Sequence, residues 1–172
     1  MKEKEIERLF YKYGERVYRT AFRLLNNEND AKDVVQEVFV GLYNNMETGK
    51  IKNIGAYLGS CGAKKAIDFL RRARRDFLFK EEYIGNTTAE QIEMEDDIQL
   101  LQNSENYMAE RIRNELEKLP DRYRVILSLR LIEDYGYREI AGITGLNEST
   151  IRSIYMRGRA KLIQALKKEG QS

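Results

Sequence analysis

Between positions 149 and 159 the chain places Ser149, Arg152, Ser153, Met156, Arg157 and Arg159. Guanidinium forks bond bidentately to phosphate oxygens or to a guanine edge, hydroxyls reach phosphates, and an apolar side chain can meet a thymine methyl. The chemistry on offer is the gripping of a polyanion, not the making or breaking of bonds. Helical periodicity sorts the same stretch. Ile151, Ile154, Gly158 and Leu162 fall inward with Tyr155 at their margin, while Ser149, Arg152, Ser153 and Met156 fall outward, flanked by Arg157 and Arg159.

Two more constellations stand in the first half. Lys64, Asp68, Arg71, Arg72 and Arg75 form a stripe opposite Leu58, Gly62, Ala66, Phe69, Leu70 and Ala73. Part of that charge complements a helix carboxyl terminus, but the stripe exceeds that need and suits a phosphate-bearing partner. Farther upstream, Ala31, Val34, Val35, Val38, Phe39 and Leu42 share one helical face, and Asp33, Gln36, Glu37 and Val40 share the other. An acidic outer face is ordinarily solvated surface. A valine within it adds an apolar contact that folding does not need, which favours a docking partner.

Catalysis finds no constellation here. There is no histidine, no glycine-rich phosphate loop, and no carboxylate pairing distinguishable from helix surface. The single cysteine, Cys61, cannot close an internal disulfide, and the usual zinc ligand sets are missing. Cys61 reads as a small buried residue. We expect no enzyme, no metal and no cofactor. The charged amino terminus, MKEKEIERLF, and the lack of a long apolar run give no signal peptide, no membrane insertion and an expected cytoplasmic location.

The elements that must position these residues are helical. With 42% hydrophobic and 34% charged residues and one proline, the composition predicts an all-α protein with little or no sheet. Glu5 to Leu25 repeats apolar residues at three- and four-residue spacings. Asn27 can cap a second helix that runs to about Asn44, with Glu28 and Asp30 in its first turn. A third helix begins near Asn53, after a loop from Glu47 to Gly55, and its Gly59, Gly62 and Ala63 imply close packing against a neighbour.

The helical signal returns at Tyr107 with Met108, Ile112, Leu116 and Leu119, and Pro120 opens the next helix. Gly136 can cap the short helix YREIAGITG, Gly145 can end it in the left-handed conformation, and Asn147 fits as the cap of the helix after it. Leu146 and Ile151 have the spacing of a hydrophobic staple. An ordinary amphipathic surface helix would show the same stripe; the caps, staple, glycine and cations together point to a helix-turn-helix DNA reader.

Charge divides the chain. Residues 1 to 75 hold 16 Lys and Arg against 10 Asp and Glu; residues 76 to 106 hold 1 against 9; residues 107 to 172 hold 13 against 9. Two basic modules flank an acidic linker, so the net charge of +2 conceals a partition into domains at 1–75, 76–106 and 107–172.

These residues together resemble a bacterial RNA polymerase sigma factor of the extracytoplasmic-function class. LFYKYGERVYRTAFRLLNNENDAKDVVQEVFVGLY through AIDFLRRARR is similar to sigma region 2, and LPDRYRVILSLRL with REIAGITGLNESTIRSIYMRGRAKL is similar to region 4. The resemblance implies a transcription initiation factor that directs core polymerase to specific promoters. It places Asp33, Gln36, Glu37 and Val40 against the clamp helices of the largest polymerase subunit, and Lys64, Asp68, Arg71, Arg72 and Arg75 on the minus-ten element, which they help to melt. Ser149, Arg152, Ser153, Met156, Arg157 and Arg159 fall on the helix that reads the minus-thirty-five element as duplex.

It further implies an acidic linker threaded through the polymerase and, in many relatives, an anti-sigma partner. The chain departs from the family pattern at Tyr57 and Lys64, usually tryptophan and asparagine, which bears on strand selection, and at Gly136, often serine. A stand-alone helix-turn-helix regulator is the alternative reading, and a polymerase-docking decoy the third.

Overall fold

In a computed structural model, which describes residues 1–45, 48–73 and 106–169, the first part of the chain forms three long helices. Helix α1 spans Lys2–Leu25, α2 Glu28–Asn45 and α3 Ile54–Ala73, with a 3-10 turn at Thr48–Lys50. Within the expected loop from Glu47 to Gly55, residues 48–50 form that turn and α3 already begins at Ile54. The Asn53 side chain accepts a hydrogen bond from the Ala56 amide at 3.0 Å and starts α3 one residue before Gly55. Asn26, at φ 50°, turns the chain out of α1, and Asn27 caps α2 through the Asp30 amide at 2.9 Å.

The three helices enclose a core of Val17, Ala21 and Leu24 from α1, Ala31, Val34 and Val38 from α2, and Leu58, Ala63, Ala66 and Ile67 from α3. Each large aliphatic side chain buried here stabilises the fold by about 1.5 to 3 kcal/mol. Gly62 lets α1 and α3 approach, since a Cβ there would lie 3.0 Å from Val17 Cγ1.

The second part comprises α4 (Asn106–Lys118), α5 (Asp121–Leu127), a π-helical turn at Ser128–Ile132, α6 (Tyr137–Thr144) and α7 (Glu148–Glu169). The π turn is closed by the Glu133 amide donating to the Ser128 carbonyl at 3.1 Å, and Asp134 leaves it at φ 59°. Periodicity alone gave no sign of this widened turn. The Glu139 carboxylate accepts from the Gly136 amide at 2.8 Å at the start of α6, and Gly145 ends α6 at φ 75°. Asn147 caps α7 through the Thr150 amide at 2.8 Å, above a buried Ile151 and a partly buried Leu146. Ile126, Leu127, Leu129, Ile140, Ile151, Ile154 and Leu162 make the second core. The described residues form helices and turns without a strand.

Candidate nucleic-acid and partner interface

Helix α2 separates its two faces as the spacing predicts. Ala31, Val34, Val35, Val38, Phe39 and Leu42 are buried, while Asp33 and Gln36 are exposed and Val40 keeps 58% of its surface in solvent. Glu37 is half-exposed and lies 3.4 Å from Lys65 Nζ of α3, so α3 fixes the flank of this face. The result is an acidic face with an exposed valine at its carboxyl-terminal end.

On α3, Lys64, Asp68 and Arg72 are exposed, and Arg71 lies 3.5 Å from Asp68. Arg72 packs over Phe69 with its guanidinium carbon 4.6 Å from the ring centroid. Ala73, expected among the inward residues, is exposed at the end of the helix. Arg75 and the acidic linker lie outside the described residues. Tyr57 is exposed two turns before Lys64 on α3, and its hydrogen bond with Cys61 raises its hydroxyl above the ordinary tyrosine range. Cys61 is a free thiol and only partly buried, less enclosed than its small size suggests.

Along α7, Ser149, Arg152 and Ser153 are exposed, and Met156 and Arg157 are partly so. Ser149 donates to Asn147 Oδ1 at 2.8 Å and Ser153 to the Ser149 carbonyl at 3.1 Å, so both hydroxyls are oriented at the amino-terminal turn. Arg152 has Glu148 Oε2 at 3.6 Å. Arg159 corrects the expected pattern: it is 97% buried, not a surface flank of the recognition face. Position 159 stands one turn beyond Tyr155 and two turns beyond Ile151, so 3.6-residue periodicity carries it onto the margin of the inward stripe. Tyr155 is itself buried, which raises its hydroxyl above the ordinary tyrosine range.

Arg124, Glu133 and Tyr135, which spacing did not single out, join the two helical units together with Arg71 of the α3 stripe. Arg124, 4% exposed, donates to the Leu24 carbonyl of α1 at 2.9 Å and to Asp121 at 2.8 Å, placing a cation at the negative end of α1. Glu133, presented by the π turn, accepts from Arg23 at 2.7 Å and from the buried Thr20 hydroxyl at 3.0 Å. Arg71 donates to the Thr144 carbonyl beside Gly145. Tyr135 lies against Gly59, and burial holds its hydroxyl above its usual value.

These contacts link positions 73 to 113 residues apart, beyond the reach of any local pattern. A half-open cleft of about 150 Å³ lies at this join, lined by Tyr18, Phe22, Leu116 and Ile132 with arginines around them.

The chain matches two family models, Sigma-70 region 2 over residues 9–76 and Sigma-70 region 4 over residues 109–162. It is 30% identical over 161 residues to the RNA polymerase sigma factor YlaC of Bacillus subtilis, covering 91% of this chain and 89% of that protein. The chain belongs to the sigma-70 family, in the extracytoplasmic-function class. Sigma factors act in transcription initiation and are not enzymes.

Other Bacillus subtilis relatives are the extracytoplasmic-function sigma factor SigW, 26% identical with 90% of this chain and 85% of that protein covered, and SigV, 29% identical with 88% and 86% covered. The fold is similar to the sigma factor RpoE of Bartonella quintana, solved in complex with the anti-sigma factor NepR. The TM-score is 0.57 at 19% identity, over 95% of this chain and 98% of that one. The α2 face and the α3 stripe lie within the region 2 match, and α6 with the outward residues of α7 within region 4. No helix among the described residues of this sigma factor is long and apolar enough to cross a membrane.

Proposed function

We propose that this sigma factor docks on core RNA polymerase through Asp33, Gln36, Glu37 and Val40 and confers recognition of a two-part promoter. The observation that carries the reading is the separation of three surfaces in one sigma chain. An acidic face ending in an exposed valine lies on α2, a cationic stripe on α3, and a hydroxyl and guanidinium face on α7.

In this reading residues 1–75 hold the polymerase and the minus-ten element, 76–106 link, and 107–172 read the minus-thirty-five element. Lys64, Asp68, Arg71, Arg72 and Arg75 meet the minus-ten element during melting, with Lys64 offering charge to the opened strand. Ser149, Arg152, Ser153, Met156 and Arg157 read the minus-thirty-five duplex; buried Arg159 shapes that helix from beneath. The polymerase performs the chemistry, and the protein works where the chromosome is, in the cytoplasm. An anti-sigma partner, as RpoE has in its complex with NepR, belongs to the same reading.

The contacts of Arg71, Glu133 and Arg124 across the two units give the free chain a closed form in which part of the α3 stripe is occupied. Core polymerase binds the open form, so the free chain binds promoter DNA weakly.

Reconstitution with core polymerase on a random-sequence promoter library tests the reading. Start-site-specific transcripts with a selected upstream and downstream element support it. DNA binding that needs no core points instead to a stand-alone regulator, and core binding without transcripts to a decoy.

A further inference from the structure

The geometry points to Tyr137 as a positioning residue for promoter readout, the aromatic platform that aims the Arg152 guanidinium from α6 across the turn. This rests on the proposed role of Arg152 in upstream-element recognition and names the group that controls it.

Tyr137 is the first residue of α6, immediately after the Gly136 cap, and its ring meets Arg152 and Tyr155 from the first two turns of α7. The Arg152 guanidinium carbon lies 4.7 Å from the Tyr137 ring centroid, within cation–π range, and the Arg130 guanidinium of the π turn lies 5.4 Å from the same centroid. The ring is fixed from below by Tyr155, whose centroid is 5.9 Å away at an interplanar angle of 80°, an edge-to-face pair. Tyr155 is 4% exposed and belongs to the core, so the platform rests on the buried interior of the unit.

Arg152 itself is exposed, and its other partner is Glu148 at 3.6 Å, one turn earlier on α7. An exposed arginine otherwise samples many rotamers and loses that freedom on binding a base edge. Stacking on Tyr137 narrows the ensemble beforehand, and Glu148 sets the direction of approach. The fork is thus presented before DNA arrives, which favours readout of one base-pair edge over its competitors.

The test uses holoenzyme assembled from core polymerase and full-length chain, on the upstream element selected by the wild type and on its single-base-pair variants. Selectivity is the ratio of transcript from the selected element to transcript from each variant.

Arg152→Ala is read first and identifies the base pair it contacts; unchanged selectivity there overturns the promoter role of Arg152 and the present proposal with it. Given that base pair, Tyr137→Leu is expected to lower selectivity at that position about two- to fivefold, the worth of an exposed cation–π contact. Tyr137→Phe is expected to retain it. In an Arg152→Ala background, Tyr137→Leu is expected to cause no further loss.

Tyr137→Gln, polar and without a ring, gives the same reading if the leucine chain does not fold. An equal loss in both backgrounds would show a general structural effect and overturn the proposal. So would full selectivity in Tyr137→Leu, or a loss in Tyr137→Phe as large as in Tyr137→Leu.

Discussion

Replacing Glu133 by alanine should shift the balance between closed and open forms of the free chain. The Glu133 side chain is 10% exposed and accepts from Arg23, itself 25% exposed, at 2.7 Å and from the Thr20 hydroxyl at 3.0 Å. Hydrogen bonds to a charged group contribute about 1.5 to 3 kcal/mol each. Arg23 regains water in the open form, which discounts its share. Thr20 is buried and its hydroxyl loses this partner when Glu133 is removed. The closed form should therefore weaken by about 1 to 2 kcal/mol, a five- to thirtyfold rise in the open-to-closed ratio by the rule of about 1.4 kcal/mol per tenfold.

Dyes at Tyr11→Cys and Ala160→Cys in a Cys61→Ala chain, both sites exposed, would report the ratio by single-molecule energy transfer. Core binding should tighten in parallel, because apparent affinity scales with the competent fraction. An unchanged ratio on Glu133→Ala would refute the idea that this cluster holds the units together.

Arg152→Ala should lose about 1 to 3 kcal/mol of discrimination at one base pair of the upstream element with core binding intact, measured by competition among promoter variants. Asp33→Arg, a reversal of charge on an exposed position, should abolish core association in a pull-down or titration while thermal stability stays within about 0.5 kcal/mol of the parent. Gly145→Ala forces a side chain into φ 75° with Arg71 Nη2 3.2 Å from the new Cβ, and should cost about 1 to 2 kcal/mol in denaturant unfolding.

Tyr155 gives a pH dependence. Burial raises its hydroxyl value in the folded chain, so its contribution is fully present below the unfolded value of about 10 and is lost as pH rises through the folded one. Tyr155→Phe should flatten the alkaline fall in stability relative to the parent chain.

Much of the local structure was legible because it is written in short-range signals. Asn27, Asn147 and Gly145 occupy the capping and left-handed positions that their side chains or lack of one demand, and α2 divides its faces residue by residue as its period requires. What spacing missed depends on distance along the chain. No local pattern marks Arg124, because its partner carbonyl lies 100 residues away. Glu133 is aimed by a π turn whose extra residue rotates the following side chains out of the expected helical phase. Arg159 was misplaced for a different reason: charge suggested the surface, while its phase against Tyr155 and Leu162 already put it at the edge of the core. Tyr137 was invisible as a platform because the arginine it meets belongs to the next helix.

The measurement that bears most directly on two-part promoter recognition through the polymerase is a footprint on a promoter selected by the reconstituted holoenzyme, with permanganate reactivity recorded on the same fragment. Holoenzyme should protect the upstream element as duplex and expose reactive thymines in the downstream element, while core alone and the free chain should do neither. Protection of the upstream element by the free chain at equal strength, or holoenzyme protection without opened thymines, would contradict the account.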